Sequence, residues 1–186
     1  MLKIAVIGAG RIGHVHAKTI AGHPAAELTL VADPFGDAAD KLATLYGARS
    51  CKDAEEVFSD PQVDAVIVGS PTPLHIPHLL AAAAAGKAVL CEKPIALDMK
   101  DVEAARAELD AVTVPVMFGF NRRFDPSFAA VHAAVAAGRI GRLEQLTIIS
   151  RDPAAPPVEY IAVSGGIFRD MTIHDFDTAR FFLGEI

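Results

Sequence analysis

An α/β fold is predicted for this chain: a doubly wound parallel sheet through about residue 120, followed by the beginning of an α+β domain. Three observations predict it. Short β-rich apolar runs alternate with helical stretches, as βαβ units do. The runs are apolar almost throughout, as strands covered on both faces are. A glycine-rich turn stands between the first run and the first helix.

The elements follow in order. "KIAVIG" (3–8), "LTLVAD" (28–33), "AVIVGS" (65–70), "AVLCEK" (88–93) and "VPVMFGF" (114–120) read as buried strands. Between them "RIGHVHAKTIAG", "GDAADKLATLYG", "LHIPHLLAAAAAG" and "MKDVEAARAEL" have helical composition, three of them ending near glycine or a turn. The alanine run 81–85 suits a helix packed closely on a sheet, since alanine is the best helix former. Beyond 120 the rhythm changes, and a domain boundary is placed there. "DPSFAAVHAAVAAGRIG" reads as a helix, "LEQLTIISRD" as a longer strand, and "PAAPPVEYIAVSGG" (153–166) as a proline- and glycine-rich loop. A last helix follows, expected to bury Ile173, Phe176, Ala179, Phe181 and Phe182, with Gly165 and Gly166 turning into it and Gly184 as its C-cap.

Composition narrows the function classes. The formal net charge is −6 and no basic stripe appears, which argues against nucleic acid and acidic membrane surfaces as partners. Half the residues are hydrophobic, yet no unbroken apolar stretch approaches the length of a membrane span. Cys51 and Cys91 lie far apart without a CxxC, so a reducing, cytoplasmic setting fits better than a disulfide framework.

The sharpest motif is "VIGAGRIGHVHA". It supplies Gly8-x-Gly10-x-x-Gly13 after a strand and at a helix start, with Arg11 and Ile12 completing the loop. Such glycines allow a tight turn, close backbone approach to a pyrophosphate, and tight helix–strand packing. The helix start offers free N–H groups and a positive dipole end to phosphates. Asp33 ends the next strand, twenty residues beyond Gly13, where a carboxylate accepts the adenosine ribose hydroxyls and repels a 2′-phosphate. A Rossmann-type domain over 1–120 binding NAD rather than NADP is the expectation.

Two further motifs stand at strand ends: "GSPTPLHIPHLL" (69–80) and "CEKPIA" (91–96). A lysine at the carboxyl end of a buried strand faces the crevice where α/β sheets bind ligands, although a snorkelling surface lysine is the plain alternative for Lys93. His75 and His78 are three apart on a helix, but no third ligand lies at a suggestive spacing, so a metal is not expected. His14 and His16 are read as structural, as are both cysteines.

With the fingerprint, these stretches resemble the glucose–fructose oxidoreductase/inositol dehydrogenase (Gfo/Idh/MocA) family. "GFNRRFDPSF" (119–128) and "GGIFRDMTIHDFD" (165–177) extend the resemblance, the last being most like its inositol 2-dehydrogenases. On the residues alone, Asp170 and His174 are an i,i+4 pair near a helix N-terminus, and dipole stabilisation accounts for them as well as catalysis does. The resemblance implies a catalytic set of Lys93, Asp170 and His174. His174 would be the base, Asp170 its orienting partner and a substrate ligand, and Lys93 the donor to the reacting oxygen. It also implies a cis Lys93–Pro94 bond, cofactor contacts at Ser70, Thr72, His75, Glu92, Lys93 and Asn121, and substrate contacts at Arg122 and Asp152. Arg123 reads equally well as an ion-pair residue. Asp175 and Asp177 are expected to serve packing or solvation.

The implied activity is NAD-dependent oxidation of a cyclic polyol, myo-inositol first, by a homo-oligomer. Another sugar or inositol isomer, and a non-catalytic NAD- or sugar-binding fragment or sensor, are the alternatives. Members of the family run to nearly twice this length, so residues 121–186 are expected to form only part of a substrate domain.

Overall fold

The computed structural model describes residues 1–186 apart from Pro153, Ala162 and the side chain of Glu159. The chain divides into two compact units, Met1–Gly119 and Phe120–Ile186. The expected 153–166 loop includes Pro153 and Ala162, which lie outside the described residues.

In the first unit the strands are β1 (Leu2–Ile7), β2 (Ala26–Ala32), β3 (Arg49–Cys51), β4 (Ala65–Val68), β5 (Ala88–Cys91) and β6 (Val116–Phe118). Their order is β3-β2-β1-β4-β5-β6 and each pairing is parallel. The strand order reverses between β1 and β4, which is where such sheets open a ligand crevice at their carboxyl edge. The helices are α1 (Arg11–Ala21), α2 (Ala38–Tyr46), α3 (Ala54–Ser59), α4 (His75–Ala84) and α5 (Met99–Asp110).

The alternation hidden in the apolar runs becomes visible in the packing. Ala5, Ile7, Val66 and Val68 point to one face, where Val57 and Phe58 of α3 and Leu79 and Ala82 of α4 cover them. Val6, Val31 and Ile67 point to the other, against Ala17 and Ile20 of α1 and Leu42 of α2. Both faces are therefore buried, which is why the strands read as continuous apolar segments. The β1–β2 register shifts between Ile4 and Ala5, so Leu28 and Leu30 face opposite sides although two residues apart. Leu42 and Leu79 are fully buried, and truncating either to alanine should cost about 2–5 kcal/mol.

Two elements were not anticipated from the sequence. β3 contains Arg49 and Ser50, both exposed, and exists as a strand only through its pairing with β2. α3 is short but properly started, since the Asp53 carboxylate accepts the Glu55 N–H. Lys87 is buried behind it. Its ammonium donates to the carbonyls of Asp60 and Val63 at 2.7 and 2.8 Å, which offsets the cost of its desolvation.

In the second unit a 3-10 turn over Asn121–Phe124 leads into α6 (Pro126–Ala136). Asp125 caps that helix by accepting from Ser127 and Phe128 N–H, and Pro126 suits its first turn. α6 ends at Ala136, short of the expected Gly141. A brief helix α7 (Val158–Ile161) lies within the expected loop, and α8 spans Ile173–Leu183. His132 of α6 stacks on Phe181 of α8 with ring centroids 4.0 Å apart.

Two expectations fail here. The strand expected over "LEQLTIISRD" is not formed: its residues lie in irregular conformation, because a strand exists only by pairing and none of the described residues pairs with it. α8 is not buried as expected either. Phe176 is 56% exposed, and Ile173, Ala179, Phe181 and Phe182 are only half-buried. One layer of helix packing within this unit covers one side of α8 and leaves the rest open.

Candidate active site

The glycine loop is built by steric necessity. Gly8 has φ +102°, and a Cβ there would lie 2.4 Å from the Gly69 carbonyl oxygen. A Cβ on Gly13 would lie 2.0 Å from the Gly8 oxygen, so α1 packs directly on the turn that precedes it. Gly10 is different, because a Cβ there would meet nothing within 4 Å. Its lack of a side chain keeps open the space in front of the α1 N-terminus, where a pyrophosphate would approach. The residues present thus fit a dinucleotide.

Asp33 stands half-buried beside this loop. One carboxylate oxygen accepts Ala9 N–H at 2.7 Å and the other accepts Phe35 N–H at 2.9 Å. Each oxygen keeps a further lone pair for a ribose hydroxyl. The carboxylate therefore holds the loop in shape as well as presenting charge to the sugar. Gly69 follows β4 at the same edge, with Ile12 close beside it.

Ser70, Thr72, His75 and His78 cluster after β4. His75 is 2% exposed, and its Nδ1 and Nε2 lie 2.7 and 2.8 Å from the carbonyl oxygens of Pro94 and Ser70. Its polar atoms are thus committed to backbone, and it ties the β4 loop to the turn after β5. His78 Nδ1 lies 3.0 Å from the Ser70 hydroxyl, and burial, with His75 beside it, favours its neutral form. Of the pair weighed as chelators, His75 spends both ring nitrogens and His78 its Nδ1 inside the fold.

After β5 comes the turn Glu92-Lys93-Pro94, with a cis Lys93–Pro94 bond. The half-buried Lys93 follows β5 at the carboxyl edge of the sheet, the edge at which the glycine loop leaves β1. Glu92 precedes it in the turn. Its Oε1 is 2.7 Å from His16 Nε2, and its Oε2 accepts the Lys93 N–H at 3.3 Å. Burial would push this carboxyl up, but the His16 hydrogen bond and charge, with the Lys93 amide and ammonium, hold it below the ordinary carboxylate range. The His16 contact spans 76 residues of sequence and no spacing rule anticipates it. Burial, with nearby carboxylates, pushes Cys51 up to about 11 and Cys91 up to about 12, so neither thiol is a nucleophile near neutral pH.

In the second unit the Gly165–Gly166 pair, both at positive φ, leads into a π-helical turn over Phe168–Thr172. That wider turn carries Asp170 and runs into α8, which carries His174; π turns inserted in helices are frequent at functional sites. The Asp170 carboxylate accepts the Tyr160 hydroxyl at 2.8 Å, a contact the sequence did not suggest. The half-buried His174 ring meets Phe120 edge-on. Arg122 pairs with Asp175, which also accepts the Ser150 hydroxyl. Burial opposes ionisation of Asp175, yet Ser150 and Arg122, with His174 nearby, hold its carboxyl below the ordinary range. Arg123 makes a two-pronged pair with Asp177. Both aspartates therefore pack the unit through arginines. Asn121 and Asp152 are exposed.

The family model described as "Oxidoreductase family, NAD-binding Rossmann fold" matches residues 2–120, and that of the GFO/IDH/MocA C-terminal domain matches 128–186. Inositol 2-dehydrogenase of Rhizobium meliloti is 52% identical over 185 residues, covering 99% of this chain and 56% of that protein. Myo-inositol 2-dehydrogenase of Thermotoga maritima is 45% identical, with 99% and 55% covered. Among solved structures, a myo-inositol dehydrogenase from Corynebacterium glutamicum is 54% identical with a TM-score of 0.95, covering 100% of this chain and 56% of that one. The scyllo-inositol dehydrogenase of Lactobacillus casei with bound NAD(H) and scyllo-inositol is 28% identical, with a TM-score of 0.79 and 99% and 56% covered. The chain thus spans a little over half the length of the curated relatives it matches. A glycine loop shaped for a dinucleotide, a cis Lys-Pro turn at the crevice edge and family matches over both units lead to one conclusion: this chain belongs to the GFO/IDH/MocA family of oxidoreductases.

Proposed function

We propose that this chain serves NAD-dependent oxidation of a secondary hydroxyl of a cyclic polyol, myo-inositol first, to the ketone. The observation that carries the reading is Lys93 at the carboxyl end of β5, on the sheet edge where the Gly8–Gly13 loop leaves β1. The 45–52% identity to the two inositol 2-dehydrogenases supports inositol as the substrate class. The likeness to the scyllo-inositol enzyme makes that isomer the second substrate to try.

When bound, NAD supplies an acceptor for the hydride leaving the carbinol carbon. The chain manages the proton and the charge. His174 takes the hydroxyl proton, imidazole being suited to titration near working pH. Asp170 orients the imidazole and accepts a substrate hydroxyl, itself steadied by Tyr160. Lys93 donates to the reacting oxygen and stabilises alkoxide character. In this reading Arg122 and Asp152 serve the substrate hydroxyls and Asn121 the nicotinamide. The working form is a cytoplasmic homo-oligomer, a reading supported by two free thiols and by exposed apolar side chains such as Val158, Phe168 and Phe176.

The test is NAD reduction across a panel of polyols by the wild-type chain and the Lys93→Ala and His174→Ala variants. Each substitution should lower turnover by about 10²–10⁴-fold while leaving NAD affinity nearly unchanged. A His174→Ala protein with most of its activity intact would remove histidine from the base role.

A further inference from the structure

We infer that His16 and Glu92 form a positioning link that couples dinucleotide binding on α1 to the placement of Lys93. The inference rests on the proposed role of Lys93 in the reaction. Its elements all lie within the first unit.

α1 meets the dinucleotide at its N-terminal end and carries His16 in its second turn. From there the ring reaches Glu92, at the end of β5. Side-chain exposure is 18% for His16 and 14% for Glu92, so the 2.7 Å contact is shielded from competing water. Backbone and carboxylate of Glu92 are both fixed further. Glu92 N–H donates to Val68 O at 2.9 Å, and Oε2 accepts the Lys93 N–H. Gly119, at the end of the unit, makes room for it: a Cβ there would sit 2.7 Å from Oε2. The fold thus spends a glycine on seating this carboxylate beside the lysine.

A surface pair of such residues would contribute little, but one packed largely out of water transmits displacement. α1 cannot slide independently of the loop, because Gly13 already rests on the Gly8 carbonyl. A shift of α1 on binding pyrophosphate therefore moves His16, and through Glu92 the backbone amide of Lys93. Without the link, α1 and the lysine turn respond separately.

Lysine labelling tests this apart from turnover. The probe is ADP-ribose, which reaches the glycine loop and carries no nicotinamide to cover Lys93. Acetylation of Lys93 is measured by mass spectrometry against the exposed Lys100 as internal standard. In the wild type, saturating ADP-ribose should change the Lys93 rate at least about twofold, as expected when two sites share a coupling free energy. In His16→Ala that response should vanish although ADP-ribose still binds within about threefold of wild type, a loss under 1 kcal/mol. His16→Gln, whose amide can still donate to Glu92, should restore most of the response. It also serves as the folded variant should His16→Ala be unstable. A response persisting in His16→Ala, or absent from ligand-bound wild type, overturns the link. Where the wild type oxidises polyol, kcat of His16→Ala should fall about tenfold with KM for NAD nearly constant. No oxidation by wild type would count against the proposed function alone, since labelling still decides the coupling.

Discussion

Gly10 and Gly13 sit three residues apart in one motif, yet the structure gives them different work, and an alanine at each separates the two. At Gly10 the backbone is already φ −77°, ψ −169°, open to any residue, and a Cβ meets nothing within 4 Å. Gly10→Ala should therefore fold normally and gain up to about 0.4–1 kcal/mol through a less disordered unfolded chain. Its methyl group would occupy the approach to the α1 amides. Losing one charge-assisted hydrogen bond there costs about 1.5–3 kcal/mol, or roughly 10- to 150-fold in NAD affinity. At Gly13 the Cβ would lie 2.0 Å from a backbone oxygen, so helix and turn must part by about 1 Å or more to reach van der Waals distance. Overpacking of that kind costs about 1–3 kcal/mol and should lower the melting temperature by roughly 2–12 °C, with NAD affinity falling too. Calorimetric NAD titration and thermal melts on both variants check this. Wild-type NAD affinity in Gly10→Ala, or a wild-type melt in Gly13→Ala, would refute the division of roles.

Asp33→Ala should weaken NAD binding and narrow the gap to NADP, because it removes both the ribose acceptor and the acceptor of the Ala9 amide; tighter NADP than NAD binding by the wild type would undo the assignment. Glu92 has a depressed folded pKa, so its contribution to stability is present above the ordinary carboxylate range and is lost as pH falls through the folded value. Glu92→Gln should accordingly flatten the acid limb of a stability–pH curve measured by denaturant melts, and an unchanged limb would speak against that ionisation. Hydrogen exchange should find amides of β1 and β4 well protected and those of 143–150 poorly protected, since the latter enter no sheet ladder. Uniform protection along the chain would contradict the irregular conformation of that segment.

Local chemistry was legible in the sequence by itself. A glycine spacing, an apolar run covered on both sides and an acid at the next strand end are encoded within thirty-odd residues, and β1-α1-β2 with its loop followed from them. The motif at Glu92-Lys93-Pro94 was equally local. The tertiary structure decided what depends on partners distant in the chain. β3 carries no apolar signature and became a strand because β2 offered its edge, whereas the more apolar 143–151 segment found no described partner and stayed irregular. The same holds at the site. Asp175 and Arg122 are 53 residues apart, and His16 and Glu92 76 apart, so periodicity says nothing of either pair. Backbone conformation and turn chemistry act between neighbours and leave a mark in spacing. Burial, ion pairing and strand pairing act between whichever surfaces the packed chain brings together, and only the fold chooses those.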